Sequence, residues 1–415
     1  MFRSNFLTAK KNSSFAATRL TREGVQFVFM LLFVVFAAIL QSINMLVLMS
    51  GALLAILFIQ WRLMSRTLSD IQMQRVLPST IQARRPFVVQ LSLRNPRRRL
   101  GSWLMLIHDQ VVPKETPLGK GVPGQSITLF LDRLLPKQVQ SLGYECMVPI
   151  RGRYQFSAPE ISTRFPFSLM RRVRSLPISQ SILAHPTQGV LDPNWRKFLK
   201  LPRLGRIHRQ SSSAGGDGEF YGLRDYRHGD PVRHVHWRTS AKRDKLVIRQ
   251  FEREESQAIA ILLDPWRSTK QLQNGNASLE IAVELVASII VRVTKTERSV
   301  ATLAVAEEQQ PFIARIQTLN QTGAALDRLS TVTLPKVDGL MEAMRQTLRY
   351  TGGREPIVVV SARSRSEFSS TRTAANHSTQ TSSDSDAWTR EQSIENRVIW
   401  IDVSSDRLDH FFVRG

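Results

Sequence analysis

The feature that most constrains this chain is a block of 37 residues near its start, Val25–Trp61. Val25–Leu40 is apolar apart from Gln26, and Met45–Trp61 is apolar apart from Ser50 and Gln60. Gln41-Ser42-Ile43-Asn44 separates the two arms. One helical span needs about 20 apolar residues, and a secretory h-region is only about 7–15 residues long, followed by a small-residue cleavage site. The block exceeds both, and its polar break falls at the midpoint. The pattern predicts a helical hairpin that crosses a bilayer twice. Each arm is short, so flanking residues must cover the rest of the hydrocarbon layer or the layer must thin.

Charge sets the expected orientation. Arg3, Lys10, Lys11, Arg19 and Arg22 precede the first arm, Arg62 and Arg66 follow the second, and the turn carries no charge. Trp61 stands where an interfacial aromatic belongs. The positive-inside rule then puts both ends, and everything after residue 66, on the cytoplasmic side of a cytoplasmic (inner) membrane. The lone cysteine, Cys146, rules out an internal disulfide framework and a four-thiolate zinc site, and it agrees with a reducing compartment. With 57 Lys and Arg against 34 Asp and Glu, the net charge is +23, which favours anionic partners. A hydrophobic content of 42% excludes a wholly disordered chain.

The remaining sequence divides by pattern. Residues 1–24 read as a basic cytoplasmic tail and 25–61 as the two spans. Residues 70–185 read as an antiparallel β-sandwich. Phe87–Arg94 alternates and breaks at Asn95-Pro96, Trp103–His108 and Ser126–Leu131 are short apolar runs, and Gly and Pro punctuate the stretch. Residues 190–255 are basic: Trp195–Gln250 holds 14 Lys and Arg and 5 Asp and Glu, and Ser211–Gly218 has loop composition. From residue 256 to 415 the pattern becomes α/β. Ala258–Leu263, Val300–Val305, Ile357–Val360 and Val398–Val403 read as buried strands, and Leu279–Val293 and Val337–Leu348 as helices, which predicts a doubly wound sheet. Ser364–Ser393, nearly half Ser or Thr, reads as a disordered insertion.

The stretch Gly218–Glu255 carries the densest ordered motif: Gly218, Glu219, Phe220, Leu223, Arg224, Tyr226, Gly229, Asp230, Arg233, Trp237, Ser240 and Ala241. This pattern resembles the signature of the DUF58 family of bacterial proteins. Arg151-Gly152-Arg153-Tyr154 and Phe165-Pro166-Phe167 resemble elements that precede it in that family. The resemblance implies a multidomain chain with a two-helix membrane anchor, a β-sandwich, the signature, and a Rossmann-type von Willebrand factor A-like domain. The resemblance by itself establishes no enzymatic activity, and no cofactor is expected. It does imply a protein partner, a MoxR-type AAA+ ATPase or another von Willebrand A protein, and hence a scaffold or adaptor in complex assembly or envelope maintenance.

The residues themselves leave competing readings. An Asp230–Arg233 ion pair holding a turn beneath Trp237 is a structural role, and the Arg and Trp residues also suit a protein interface. Asp230 and His236 are the candidate acid/base pair if the chain is instead a hydrolase acting on an anionic envelope substrate. His228, His234 and His236 invite a metal, since 234 and 236 would share one face of a strand, but no carboxylate or thiolate completes the set. Gly215–Phe220 approaches a diguanylate cyclase signature with a glycine inserted, which destroys the spacing. Binding of anionic lipid or nucleic acid rests on charge alone, and the regular aromatic interleaving of a single-strand binder is missing. In the α/β domain, Asp264-Pro265-Trp266-Arg267-Ser268 keeps only the first and last oxygen ligands of an Asp-x-Ser-x-Ser metal site, Asp264 and Ser268. Ser361-Ala362-Arg363 brings a cation where a second acidic ligand would stand. No metal is expected there, and Asp264 is expected to pair with an arginine or cap a helix.

Overall fold

The computed structural model describes residues 16–41, 43–117, 122–199, 219–228, 230, 232–252, 258–266, 275–297, 299–335, 337–353, 355–370, 398–405 and 408–415. It forms two compact units, residues 1–187 with 327–332, and residues 188–326 with 333–415.

The first unit opens with β1 (Ala16–Leu20), α1 (Arg22–Gln41) and α2 (Asn44–Thr67). Both helices are long and apolar enough to cross a membrane. At 1.5 Å per residue their 20 and 24 residues reach about 30 and 36 Å, a length that includes the residues flanking each apolar arm. The helices run beyond the apolar block, from Arg22 to Thr67 instead of Val25 to Trp61, because polar side chains at both ends find partners on one turn. Thr21 donates from its backbone N to the Leu169 carbonyl (3.0 Å) and from Oγ1 to the Ser168 carbonyl (2.7 Å). Gln60, fully buried, donates to the carbonyls of Arg164 and Met170 (both 3.4 Å) and accepts from the Phe167 N–H (3.2 Å). The start of α1 and the end of α2 therefore meet the same turn, 164–170, and lie on the same side. The tail expected over 1–24 is also not only a tail. Its last described residues form β1, which covers the arginine-rich edge of β10 (Met170–Ser175) in antiparallel register.

Between these lie β2 (Gln72–Val76), β3 (Ile81–Gln82), β4 (Phe87–Arg94), β5 (Ser102–Glu115), β6 (Gln125–Leu134), β7 (Val139–Cys146), β8 (Gly152–Phe156) and β9 (Glu160–Thr163), and β11 (Gln180–His185) follows β10. One sheet runs β1-β10-β9-β5-β8-β11-β3 with β6 on β5, and a second runs β2-β4-β7. All pairings are antiparallel except β11 with β3. Alternation puts Val89, Leu91 and Leu93 of β4 and Met105, Ile107 and Val111 of β5 into one core. That core also holds an ion pair. Arg75 and Asp109 are buried and bonded through two contacts, Tyr144 donates its hydroxyl to Asp109 Oδ2 (2.6 Å), and Arg75 Nη2 reaches the Ser157 carbonyl (2.9 Å). Burial pushes the nearby Cys146 thiol up to about 11.

The sheets also cap α2. The last carbonyls of a helix lack intrahelical donors. Arg97 donates to the carbonyls of Arg66 and Thr67, Ser102 Oγ to Thr67 (2.7 Å), and Arg174 to Leu68 (2.8 Å). A guanidinium at a helix C-terminus also complements the macrodipole.

The second unit contains β12 (Val190–Leu191), α3 (Trp195–Phe198), β13 (Glu219–Asp225), α4 (Trp237–Arg243), β14 (Val247–Glu252), β15 (Ile259–Asp264), α5 (Gly275–Val291), β16 (Ala301–Val305), β17 (Phe312–Ile316), α6 (Leu319–Thr331) as far as Leu326, α7 (Leu340–Thr351), β18 (Ile357–Ser361), β19 (Val398–Asp402) and β20 (Phe412–Val413). Its main sheet has the order β17-β16-β15-β18-β19, parallel except for β17. Every residue of β15 is buried, as expected of a strand covered on both faces. Leu340, Ala343 and Met344 of α7 pack against Ala260, Leu262, Ile357 and Val359, and α5 lies against β15 and β18. The Ser/Thr-rich stretch expected to be disordered from 364 instead begins as a helix over 365–370. Phe368 drives this, since it is buried with the α7 face of the sheet and lies tilted against the Trp400 ring, with centroids 5.5 Å apart. Residues 371–393 of that stretch lie outside the described residues.

Candidate functional site

The signature folds as a hairpin with a helical cross-brace. β13 and β14 pair from Glu219↔Glu252 to Asp225↔Val247, and Tyr226 N–H extends the ladder to the Leu246 carbonyl (2.8 Å). Between the strands come a 3-10 turn, Val232–His234, and α4. His236 caps α4: its Nδ1 accepts the Thr239 N–H (3.2 Å). Ser240, buried, accepts the Val247 N–H at Oγ (2.9 Å) and donates to the His236 carbonyl (3.2 Å), which ties the helix to β14. Asp244 ends α4 at φ +53°, a left-handed position that short polar side chains tolerate.

The turn is locked by Asp230, but its partner is Arg224 and not Arg233. Arg224 Nη1 and Nη2 bond Asp230 Oδ2 and Oδ1 at 2.6 and 2.7 Å, and the Arg227 N–H adds a third bond at 2.9 Å. Arg224, one residue before the end of β13, bonds back into the turn, whereas Arg233 lies exposed in the 3-10 turn. A fork-to-fork pair fixes both planes at once. Arg224 and the Arg227 N–H hold the Asp230 carboxyl down at about 2. A depressed carboxylate adds stability above its unfolded value and loses it as pH falls through the folded value. We therefore expect the hairpin to loosen between about pH 4 and pH 2. In Asp230→Asn this acid step, followed by amide hydrogen exchange of 219–226 and 247–252, should vanish, with exchange fast at neutral pH as well.

Around this lock apolar side chains are exposed among basic ones, Arg227, Arg233, Arg238, Lys242 and Arg243. Trp237 is 63% exposed, Val232 61% and Leu246 46%, Leu223 and Ala241 are exposed, and Tyr226 is half-buried. Glu219 and Phe220 open β13, while Gly218, Gly229 and the 211–218 loop lie outside the described residues. His234 and His236 do not share a strand face, because one sits in the 3-10 turn and the other caps a helix. Among the described residues no group of three or more His, Cys, Asp or Glu could hold a metal. Asp230 is held by Arg224 and the Arg227 N–H, and His236 by the Thr239 N–H at Nδ1, and among the described residues no hydrogen bond joins the two.

A second site lies at the carboxyl ends of β15 and β18, the switch point where open α/β sheets bind ligands. Asp264 and Ser361 are register partners there. Asp264 Oδ2 accepts from Arg363 Nε (2.9 Å) and Ser361 Oγ (2.7 Å), and Oδ1 accepts the Trp266 N–H (3.1 Å). Arg363 is 1% exposed and forks onto Asp338 at 2.6 and 2.8 Å. The Phe368 ring lies 4.7 Å and the Trp266 ring 5.8 Å from its Cζ, in cation–π range. Burial pushes the Asp264 carboxyl up, against the pull of Arg363. A fixed guanidinium thus lies on Asp264. Ser268 and Arg267 lie outside the described residues. Asp338, in the loop before α7, is the site residue that sequence reasoning missed.

These features define a multidomain chain with two apolar N-terminal helices, a double-sheet β unit, and an α/β unit bearing a braced hairpin. Residues 222–362 match the family model described as Protein of unknown function DUF58, so this stretch is a DUF58 domain. The match begins at Gly222, after Gly218, Glu219 and Phe220. The uncharacterized protein YeaD of Bacillus subtilis (strain 168) is 21% identical over 179 residues, which is 42% of each chain, so the match spans less than half of that relative's length. Solved structures resemble the chain only locally. The CARDB domain of the PF1109 protein from Pyrococcus furiosus aligns with 28% of this chain and 92% of its own, at 10% identity and a TM-score of 0.18. A superoxide reductase (neelaredoxin) from Ignicoccus hospitalis aligns with 27% and 79%, at 10% identity and a TM-score of 0.16. Scores this low define no shared fold.

Proposed function

We propose that this chain is a membrane-anchored cytoplasmic adaptor whose signature hairpin docks a protein partner of the MoxR-type AAA+ ATPase class. The observation that carries this reading is a rigid turn, locked by Arg224 and Asp230, in a hairpin segment that also exposes Trp237 (63%) and Val232 (61%). A pre-organised aromatic anchor flanked by arginines has the composition of an interface hot spot. The α1–α2 pair anchors the chain as a two-span hairpin with both ends in the cytoplasm. Its basic flanks and the shared turn 164–170 support that orientation. The five-stranded sheet serves as a von Willebrand A-like domain in which Arg363 stands in for the cation, a scaffold for protein contact.

Two measurements on the full chain in native membranes test this. A membrane-impermeant maleimide should label Ile43→Cys only from outside and Arg98→Cys only from inside. Crosslinked chain should recover the ATPase, and Trp237→Ala should cut that recovery by about tenfold or more, as loss of an aromatic hot spot does. Labelling of Ile43→Cys from the cytoplasm, or recovery unchanged in Trp237→Ala, contradicts the reading.

A further inference from the structure

We propose that the first unit holds an anionic glycerophospholipid in a groove where α2 leaves the membrane. The inference rests on the reading of α1 and α2 as spans. The groove has a volume of about 320 Å³ and is lined by Arg66 of α2 together with Arg99, Leu100, Trp103, Leu135 and Phe165. Its chemistry is split as a lipid's is. Neither the Arg66 nor the Arg99 side chain meets an acidic partner among the described residues. The rest of the lining is largely apolar: Leu100 is 41% exposed, Leu135 43% and Trp103 38%, and Trp103 stacks on Phe165 with centroids 6.3 Å apart.

The depth fits as well. Gln60 bonds the turn 164–170, so the hydrocarbon crossing of α2 ends near Ile59. Arg66 lies seven residues further on, about 10 Å along the axis, at headgroup level. Trp61 (49% exposed) and Phe167 (50%) flank that level as interfacial aromatics. Backbone strain marks the same place. Leu104 takes φ +47° inside β5, and the in–out alternation fails there, so that Trp103 and Leu104 are both exposed. A leucine held in the left-handed region costs energy, and such strain collects at binding sites. The phosphate is therefore placed between Arg66 and Arg99. The glycerol and upper acyl carbons lie along Trp103, Leu100 and Leu135, and the acyl tails return to the bilayer beside α2.

Native mass spectrometry of the full chain, released from micelles doped with equal phosphatidylglycerol and phosphatidylcholine, tests this. Wild type should retain phosphatidylglycerol roughly thirtyfold over phosphatidylcholine, the equivalent of about 1 kcal/mol for each of the two arginines. Arg66→Gln/Arg99→Gln should bring the ratio close to one, and Arg66→Lys/Arg99→Lys should keep most of the preference. Equal retention in wild type, an unchanged ratio in the glutamine variant, or displacement of the lipid by soluble glycerol 3-phosphate would overturn the proposal. Carbonate extraction of native membranes carrying the full chain separates the two failures. Chain released as soluble protein defeats the membrane reading and this proposal with it. Chain that stays inserted but shows no lipid preference defeats the lipid site alone.

Discussion

Replacing Arg363 by methionine is expected to lower the unfolding temperature of the α/β unit by roughly 6–20 °C, the equivalent of about 3–5 kcal/mol. The cause is the charge left behind. Asp264 is 1% exposed, and Arg363 is its only cationic partner among the described residues. Without the guanidinium, Asp264 keeps only the Ser361 hydroxyl and the Trp266 N–H. Removing one member of a buried pair costs far more than removing both, so Arg363→Met/Asp264→Asn should recover more than about 1 kcal/mol of the loss. Lysine should not rescue, because it cannot fork onto Asp338 while also bonding Asp264. Hydrogen exchange of 259–264 and 357–361 in the full chain reads the effect where it arises. A loss below about 1 kcal/mol would show that Arg363 is not the counter-ion.

The second large effect is expected in the β unit. Asp109→Ala should cost about 3–5 kcal/mol. It orphans Arg75, which is 2% exposed and already has Nη1 unpartnered, and it frees the Tyr144 hydroxyl in the core. Asp109 also pushes the Tyr144 hydroxyl up, with burial the larger cause. Tyr144→Phe removes one hydrogen bond and leaves the ion pair, so it should cost only about 1–2 kcal/mol. Proteolysis or exchange confined to 72–76 and 139–146 distinguishes this from global loosening. Equal losses for the two variants would show that the carboxylate–guanidinium contact contributes nothing beyond the phenol bond.

The parts of the fold that could be read from sequence are those where one force dominates. The apolar block could also be read as one long tilted span or a re-entrant loop, but its polar midpoint favours two helices. Runs such as Ile259–Leu263 and Ile357–Val360 are too short for helices, which favours buried strands. Gln60 looked like a blemish in a span. Its three bonds to the turn 164–170 show instead that α2 has already met the β unit there. β1 was illegible because Ala16–Leu20 carries no alternation of its own, and the exposed edge of β10 recruits it. Phe368 was hidden inside a Ser/Thr-rich tract whose composition argues for disorder, yet one buried aromatic is enough to order its first turn. The Asp230 partner was misassigned for a geometric reason. The three-residue spacing to Arg233 is the nearer one in sequence, but a hairpin folds the end of β13 over its own turn, and that brings Arg224 to the carboxylate. Asp338 could not be found at all, since nothing local ties a loop aspartate to an arginine 25 residues later.

The most direct test of the adaptor reading places a photo-crosslinking amino acid at position 237 of the full chain and irradiates intact membranes. Because Trp237 is largely exposed on a locked turn, the substitution should leave the fold unchanged. One dominant adduct is expected, containing an AAA+ ATPase and lost when Val232→Asp is added beside it. A chain that is membrane-inserted, folded and irradiated yet forms no adduct at 237, while a control position such as Arg98 behaves identically, would contradict the account.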